Sequence, residues 1–247
     1  MKIRFCIVRY GADRKFLKNL ETMKQHFPEA EFIVLNNMPN SGKSDEIQGS
    51  NVAFEFSGYL ELLELSNWKG KVILVNDTLF KHHFTQGWLW LLKRCCSEIK
   101  DEENVIYGDI RWDGTDLMER PNPFLASWLF VIPGVKSQEI FANTLKRLIN
   151  NPIPELSAKY ELFLTEWLES DKLWKGWQGS GKDSGNMERK RKCIYWEHQL
   201  SANLAKDGIT LKSIGDSSRF EYSILRVLDR MKISIWRIAY RLKGLLV

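Results

Sequence analysis

Two β-rich runs joined by a helix-spaced segment, all within the first 37 residues, constrain this chain more than any other feature. Residues 3–10 (IRFCIVRY) and 31–37 (EFIVLNN) are short, apolar and rich in β-branched and aromatic side chains, which marks them as strands. Between them Phe16, Leu17, Leu20, Met23 and Phe27 recur at helical spacing over 14–27, and Pro28 closes the helix. Parallel strands need such a crossover, so the second strand is expected to run parallel to the first. A parallel sheet must be covered on both faces. The predicted class is therefore α/β: a Rossmann-like, mostly parallel sheet flanked by helices.

The remaining 210 residues continue the pattern. After a polar loop with Pro39, Gly42 and Gly49 come a helix over 53–66, the strongest strand in the chain at 71–76, and a Trp- and Leu-rich helix over 84–99. Strands at 105–110 and 127–132 flank a turn-rich segment with Gly114 and Pro121-Asn122-Pro123. Helices are predicted at 136–150, 157–170 and 196–207, and the Gly/Ser/Lys-rich stretch 175–192 between the last two reads as a surface loop. Its Gly179-Ser180-Gly181-Lys182 lacks the spacing and preceding strand of a phosphate-binding P-loop.

No 18 consecutive residues are apolar, so no spanning helix is expected, and MKIRFCIVRYG is too short and too charged for a signal peptide. The four cysteines (Cys6, Cys95, Cys96, Cys193) show no zinc spacing and read as reduced, buried thiols of a cytosolic protein.

The charge is unevenly placed. Residues 219–247 hold seven basic and two acidic side chains, out of 36 and 31 in the chain, which leaves 29 of each sign in residues 1–218. In this tail Ile224, Leu228, Met231, Ile235, Ile238, Leu242 and Leu245 alternate steps of four and three, with Arg226, Arg230, Arg237 and Arg241 largely on another face. That is a basic amphipathic helix, with Trp236 and Tyr240 placed as interfacial anchors. It suits an anionic membrane surface. The same spacing also suits a heptad seam, which would pack the tail on the domain or make a homodimer. Nucleic acid is disfavoured as a partner because the remainder carries no net positive charge. The expected organisation is a domain over 1–215 and a helical tail over 216–247.

The segment that points to chemistry is Val72-Ile-Leu-Val-Asn-Asp-Thr78. Its apolar run delivers Asn76, Asp77 and Thr78 to the carboxyl end of a buried strand, the edge where open α/β sheets bind ligands. A carboxylate there, flanked by short oxygen-bearing side chains, suits a hard divalent cation bridging two phosphates; a turn or a helix cap is the plain alternative.

Upstream stands Asn51-Val-Ala-Phe-Glu-Phe-Ser-Gly58. With the strand ending in Asn76-Asp77-Thr78, the chain resembles bacterial glycosyltransferases of the GT-A fold, especially the rhamnan-synthesis (RgpF-like) group related to glycosyltransferase family 2. Those proteins carry an N-x-G-x-D-x-x-(G/A) stretch, a helix, and a strand ending in N-D-S or N-D-T. Here Ala53 stands for the Gly and Glu55 for the Asp. The opening strand–helix–strand is similar to the nucleotide-binding half of that fold. Asn122–Val131 resembles a segment that usually reads Q-S-Y/F-F, without its Gln, and Trp196-Glu197-His198 resembles the late helix that carries a Glu.

The resemblance implies a GT-A-like domain over most of residues 3–210. It also implies glycosyl transfer from a UDP- or dTDP-sugar to a glycan or lipid-linked glycan in bacterial surface polysaccharide synthesis, at the cytoplasmic face of the plasma membrane. Asp77 takes the place of the metal-binding aspartate, with Mn²⁺ or Mg²⁺ as cofactor, and Asn51, Glu55, Asn76 and Thr78 join it in the donor site. An inverting reaction needs a carboxylate base for the acceptor hydroxyl. Glu197 and Asp109 are the candidates, followed by Asp113 and Asp116. Arg9 and Asp13, just after the first strand, are placed as nucleotide contacts in the loop at that edge, and Trp174 and Trp177 as acceptor contacts beside the mobile loop. His82 and His83 are adjacent and point apart, which makes a shared ion improbable. A rival reading from another class is a non-catalytic protein that docks on membranes through its tail, which leaves Asn76-Asp77-Thr78 without a role.

Overall fold

The computed structural model describes residues 2–10, 14–38, 46–65, 68–99, 104–111, 124–169 and 184–215, together with Ser223, Ile224, Val227, Leu228 and Met231. Strand β1 (Ile3–Arg9), helix α1 (Arg14–His26) and strand β2 (Glu31–Asn36) form the expected crossover unit, and β1 pairs in parallel with β2 from Arg4↔Glu31 to Arg9↔Asn36. Helix α2 (Glu55–Glu64) leads into β4 (Lys71–Asn76), which pairs in parallel with the other side of β1. The loop before α2 holds an unexpected two-residue strand, β3 (Ile47–Gln48), parallel to β2.

Beyond β4 a π-helical turn (Leu79–His83) precedes α3 (Gln86–Glu98), capped by Thr85, whose side chain accepts the Trp88 N–H. The helix expected over 84–99 is thus α3, and the π-helical turn before it is an element the sequence reading did not contain. Strand β5 (Val105–Arg111) and strand β6 (Phe124–Ile132) follow, then α4 (Val135–Asn150), α5 (Ala158–Leu168), α6 (Ser184–Lys206) and β7 (Thr210–Ser213). The seven strands lie in the order β3-β2-β1-β4-β6-β5-β7, and all run parallel except β6, which is antiparallel to both β4 and β5.

Alternation along the central strands sorts the core into two layers. Phe5, Ile7, Ile73 and Val75 face α1 and α3 with Phe16, Met23, Trp88 and Leu92. Cys6, Val8, Val72 and Leu74 face α2, α4 and α6 with Phe56, Tyr59, Phe141, Trp196 and Leu200. Helix α5 lies on α6 through Tyr160, Leu164, Leu168 and Ile194. The cysteines are all free and buried, as expected.

Two sequence expectations are corrected. Residues 184–192, read as loop, form the opening turns of α6. Met187-Glu-Arg-Lys-Arg-Lys192 is a run of good helix formers without an apolar stripe, because much of what that stretch meets is polar. Strand β6 begins at Phe124 rather than 127 and is buried throughout, so Ser127 sits three residues inside it. Among the described residues no helix is long and apolar enough to cross a membrane.

Candidate functional site

The carboxyl ends of β1, β2 and β4 and the amino-terminal part of the reversed β6 share one edge of the sheet, since Val8 pairs with Asn76 and Val75 with Leu129. Asn76, 4 % exposed, turns back on itself: its Oδ1 accepts the Thr78 N–H at 3.0 Å. This Asx turn stops β4 and launches the π-helical turn. Thr78 is part-buried at its start. Asp77, also buried, accepts Lys81 Nζ on Oδ2 at 2.5 Å and receives the backbone N–H of Tyr10. Burial raises the Asp77 pKa above the ordinary carboxylate value; Lys81 and the Tyr10 N–H oppose that rise, and Glu55 adds to it.

The turn before α2 has an unusual backbone. Asn51 and Phe54 both have positive φ, 52° and 49°. Asn tolerates that region, whereas a Phe there is strained by about 1–3 kcal/mol. The turn is held by side chains: Asn37 Nδ2 donates to the Phe54 carbonyl at 3.0 Å and to Tyr10 Oη at 3.1 Å, and Ser57 Oγ accepts the Ala53 N–H while donating to Phe54 O. The Asn51 carbonyl accepts Arg189 Nη1 at 3.2 Å, and its Oδ1 is buried with no partner among the described residues. Glu55 is thereby fixed as the first residue of α2, where the helix dipole favours its charge. Gly58, one turn on, allows α2 to lie against β1, for a Cβ there would meet Val8 Cγ2 at 2.7 Å.

Ser127 joins the pieces. Its N–H donates to Glu197 Oε1 at 2.7 Å, its Oγ donates to Glu55 Oε1 at 3.1 Å, and its carbonyl accepts Tyr59 Oη at 2.8 Å. Helix α6 brings in Glu197 and, two turns earlier, Lys190, whose Nζ stands 4.0 Å from Glu55 Oε1. Burial lowers the Lys190 pKa, but Glu55, the Cys193 sulfur, Glu197 and Asp77 outweigh it and the net shift is upward. Glu197 is raised: burial is the main cause, Ser127's N–H works against it, Glu55 adds to it and Lys190 opposes it. The ring of Phe54 lies under both cations, 5.2 Å from Arg189 Cζ and 5.5 Å from Lys190 Nζ.

Glu55 stands beside the Lys190 ammonium and shares Ser127 with Glu197, while Asp77, paired with Lys81, adds a weaker electrostatic pull from the end of β4, the edge where ligands bind in such sheets. Three of the expected site residues are brought together. Lys81, Ser127, Lys190 and the tyrosines Tyr10 and Tyr59 complete the cluster and were not singled out from sequence. Lys81 had a legible signal, four residues after Asp77 at the start of a helical turn. Lys190 lay hidden in a charge run, and Ser127 becomes visible only when β6 is known to be reversed.

The other candidates are placed as follows. Arg9 is the last residue of β1 rather than a loop residue; it is 1 % exposed, pairs with the Glu46 carboxylate and lies 5.6 Å from the Phe16 ring. Asp109 is fully buried beside a register shift in β5 and accepts Arg111 Nη2 at 2.7 Å. His83 stacks on Trp128 with centroids 4.5 Å apart, and burial lowers the His82 pKa, with His83 adding to the effect. Asp13, Asp113, Asp116, Trp174 and Trp177 lie outside the described residues.

Among the described residues no three His, Cys, Asp or Glu side chains are grouped as metal ligands. The donor available for a metal is the single carboxylate of Asp77. That fits an ion of the Mg²⁺ or Mn²⁺ kind, which takes one or two carboxylates and draws its remaining ligands from substrate phosphates. Compared with known proteins, the chain matches no family model, and no curated protein matches it.

Proposed function

We propose that this chain is a glycosyltransferase with a GT-A-like domain, moving a sugar from a UDP- or dTDP-sugar to a glycan or lipid-linked glycan acceptor with inversion. The observation that carries the reading is that Ser127 ties Glu55 and Glu197 together, with Lys190 beside Glu55, at the carboxyl edge of a mostly parallel sheet where β4 ends in Asp77. Two of the three carboxylates, Asp77 and Glu197, are held above their ordinary pKa by burial. Perturbed groups gathered on a ligand-binding edge support the reading of a working site.

The charges match the reaction. Glu55, Asp77 and Glu197 are offset by Lys81, Lys190 and Arg189, so the site is balanced before a donor binds. A sugar nucleotide adds about two negative charges on its diphosphate, and more develops as the glycosidic bond breaks. Asp77 would hold a divalent ion there, which supplies charge stabilisation for the diphosphate when bound. Lys81 can turn from Asp77 to the phosphates, since its side chain is about one-third exposed (32 %).

Glu197 is the base this arrangement favours over Asp109. The Ser127 N–H fixes one of its oxygens, and its raised pKa makes it a stronger proton acceptor than an ordinary glutamate. The acceptor oxygen bonds to the anomeric carbon, the bond from that carbon to the diphosphate oxygen breaks with its electron pair, and the acceptor proton passes to Glu197. Asp109, already paired with Arg111, is the less available carboxylate.

The test uses purified full-length protein with UDP- and dTDP-sugars and Mn²⁺. Asp77→Asn is expected to cost about 10²–10³-fold in transfer and to weaken donor binding. Glu197→Gln is expected to lose about 10²–10⁴-fold in turnover and keep donor binding. Full activity in both variants refutes the assignment. Absence of donor binding by any nucleotide sugar refutes the function itself.

A further inference from the structure

We infer that the C-terminal tail is a docking surface for an anionic lipid bilayer. The backbone is helical at Ser223, Ile224, Val227, Leu228 and Met231, and the last four side chains are 43 %, 54 %, 47 % and 54 % exposed. Their spacing, i, i+3, i+4 and i+7, puts them on one face of a helix, the pattern by which a helix ordinarily meets a core. Here that face meets solvent instead. The other exposed large apolar side chains of the described residues (Met38, Val52, Leu65, Trp90, Val135, Leu162) do not form such a stripe. Scattered apolar residues are ordinary on a protein surface, but a contiguous stripe is not.

Charge identifies the occupant. The stripe lies in the stretch 219–247, which has seven basic and two acidic residues, while residues 1–218 are electrically balanced. A second copy of the tail would cover the apolar face but bring five like charges against five. Nucleic acid would take the charges and leave the apolar face in water. An anionic leaflet answers both, offering an acyl boundary to Ile224, Val227, Leu228 and Met231 and headgroup phosphates to the arginines and lysines. The apolar spacing continues in the sequence at Ile235, Ile238, Leu242 and Leu245, with Trp236 and Tyr240 suited to the interface. This inference stands apart from the transferase reading and fails or holds without it.

The experiment is co-sedimentation of the full-length protein with phosphatidylcholine vesicles, with and without phosphatidylglycerol. Each basic side chain near an anionic leaflet strengthens binding about fivefold before screening. Binding to the anionic vesicles is expected to exceed that to neutral ones by about a thousandfold at low salt and to fall steeply in high salt. Arg226→Gln with Arg230→Gln should lower it about twentyfold. Val227→Asp with Leu228→Asp should lower it at least about tenfold at either salt, with an unchanged unfolding midpoint because both side chains are exposed. Equal binding to neutral and anionic vesicles, or binding to neither, overturns the inference. So does a Val227/Leu228 variant that splits a dimer into monomers in sedimentation velocity while vesicle binding is unchanged.

Discussion

Replacing Gly58 by alanine tests how tightly the candidate site is tied to the sheet. In isolation the change favours the helix, since Ala exceeds Gly by about 1 kcal/mol in a helix interior. The packing opposes it. The new Cβ would stand 2.7 Å and 2.9 Å from the two methyls of Val8 and 3.3 Å from Leu35 Cδ2. Ordinary carbon contacts lie at about 3.5–4.0 Å, so α2 would need to lift by roughly 1 Å. Val8 cannot yield: it is β-branched, fully buried, and held in β1 between Leu35 of β2 and Asn76 of β4. Overpacking of this kind costs about 1–3 kcal/mol, and the helix gain offsets only part of it. A net loss of about 1 kcal/mol is expected, or about 2–4 °C in the unfolding midpoint for a chain of this size. The same lift carries Glu55 away from Ser127 Oγ, so activity should fall further than stability. Urea unfolding with a parallel transfer assay measures both. A Gly58→Ala protein as stable as the parent would refute the close-approach argument.

Other predictions follow from the charges. Because folding raises the Glu197 pKa, ionisation there opposes the native state: its favourable contribution is complete below the unfolded value and is lost as pH rises through the raised folded one. Glu197→Gln should therefore be at least as stable as the parent at pH 7 while losing turnover, and a marked drop in its urea midpoint would contradict this. Lys190 lowers the Glu197 pKa, so Lys190→Met should move the acidic limb of the kcat/KM profile to higher pH; a shift to lower pH would exclude the pairing. Asp207 behaves in the opposite sense. The Thr144 hydroxyl and Arg147 hold its pKa below the ordinary value, so its contribution is present above the unfolded value and lost as pH falls through the folded one. The stability gap between parent and Asp207→Asn should be seen at pH 7 and close in acid, which pH-dependent thermal unfolding measures.

Much of the fold was legible because its signals are local. The spacing over 14–27, Pro28, and the apolar runs at 3–10, 31–37 and 71–76 each declare themselves within one element. What stayed hidden depended on partners. Strand β3 has two residues and exists because β2 offers it an edge, while β7 is four residues that pair with β5. The first turns of α6 lack an apolar stripe because Arg189 and Lys190 meet backbone carbonyl, aromatic ring and carboxylate rather than a greasy face. The reversal of β6 has no signature in its nine buried residues, since a strand covered on both faces reads the same in either direction.

That reversal also explains the candidate site. Were β6 parallel to β4, its amino-terminal part would lie at the opposite edge of the sheet, and Ser127 would be far from Asp77. Running backwards, β6 brings Ser127 to the carboxyl edge, where its N–H, hydroxyl and carbonyl engage Glu197, Glu55 and Tyr59. Residues 55, 127 and 197 are thus locked together by one strand's direction. Asp77 needs no such device, because β4 delivers it directly. The cluster therefore has a fixed half, built on α2, β6 and α6, and an adjustable half, in which the part-exposed Lys81 holds Asp77. Under the proposed function Glu197 would be the fixed base that aligns with the acceptor hydroxyl, and Asp77 with Lys81 the adjustable pair that meets the diphosphate charge as it builds up.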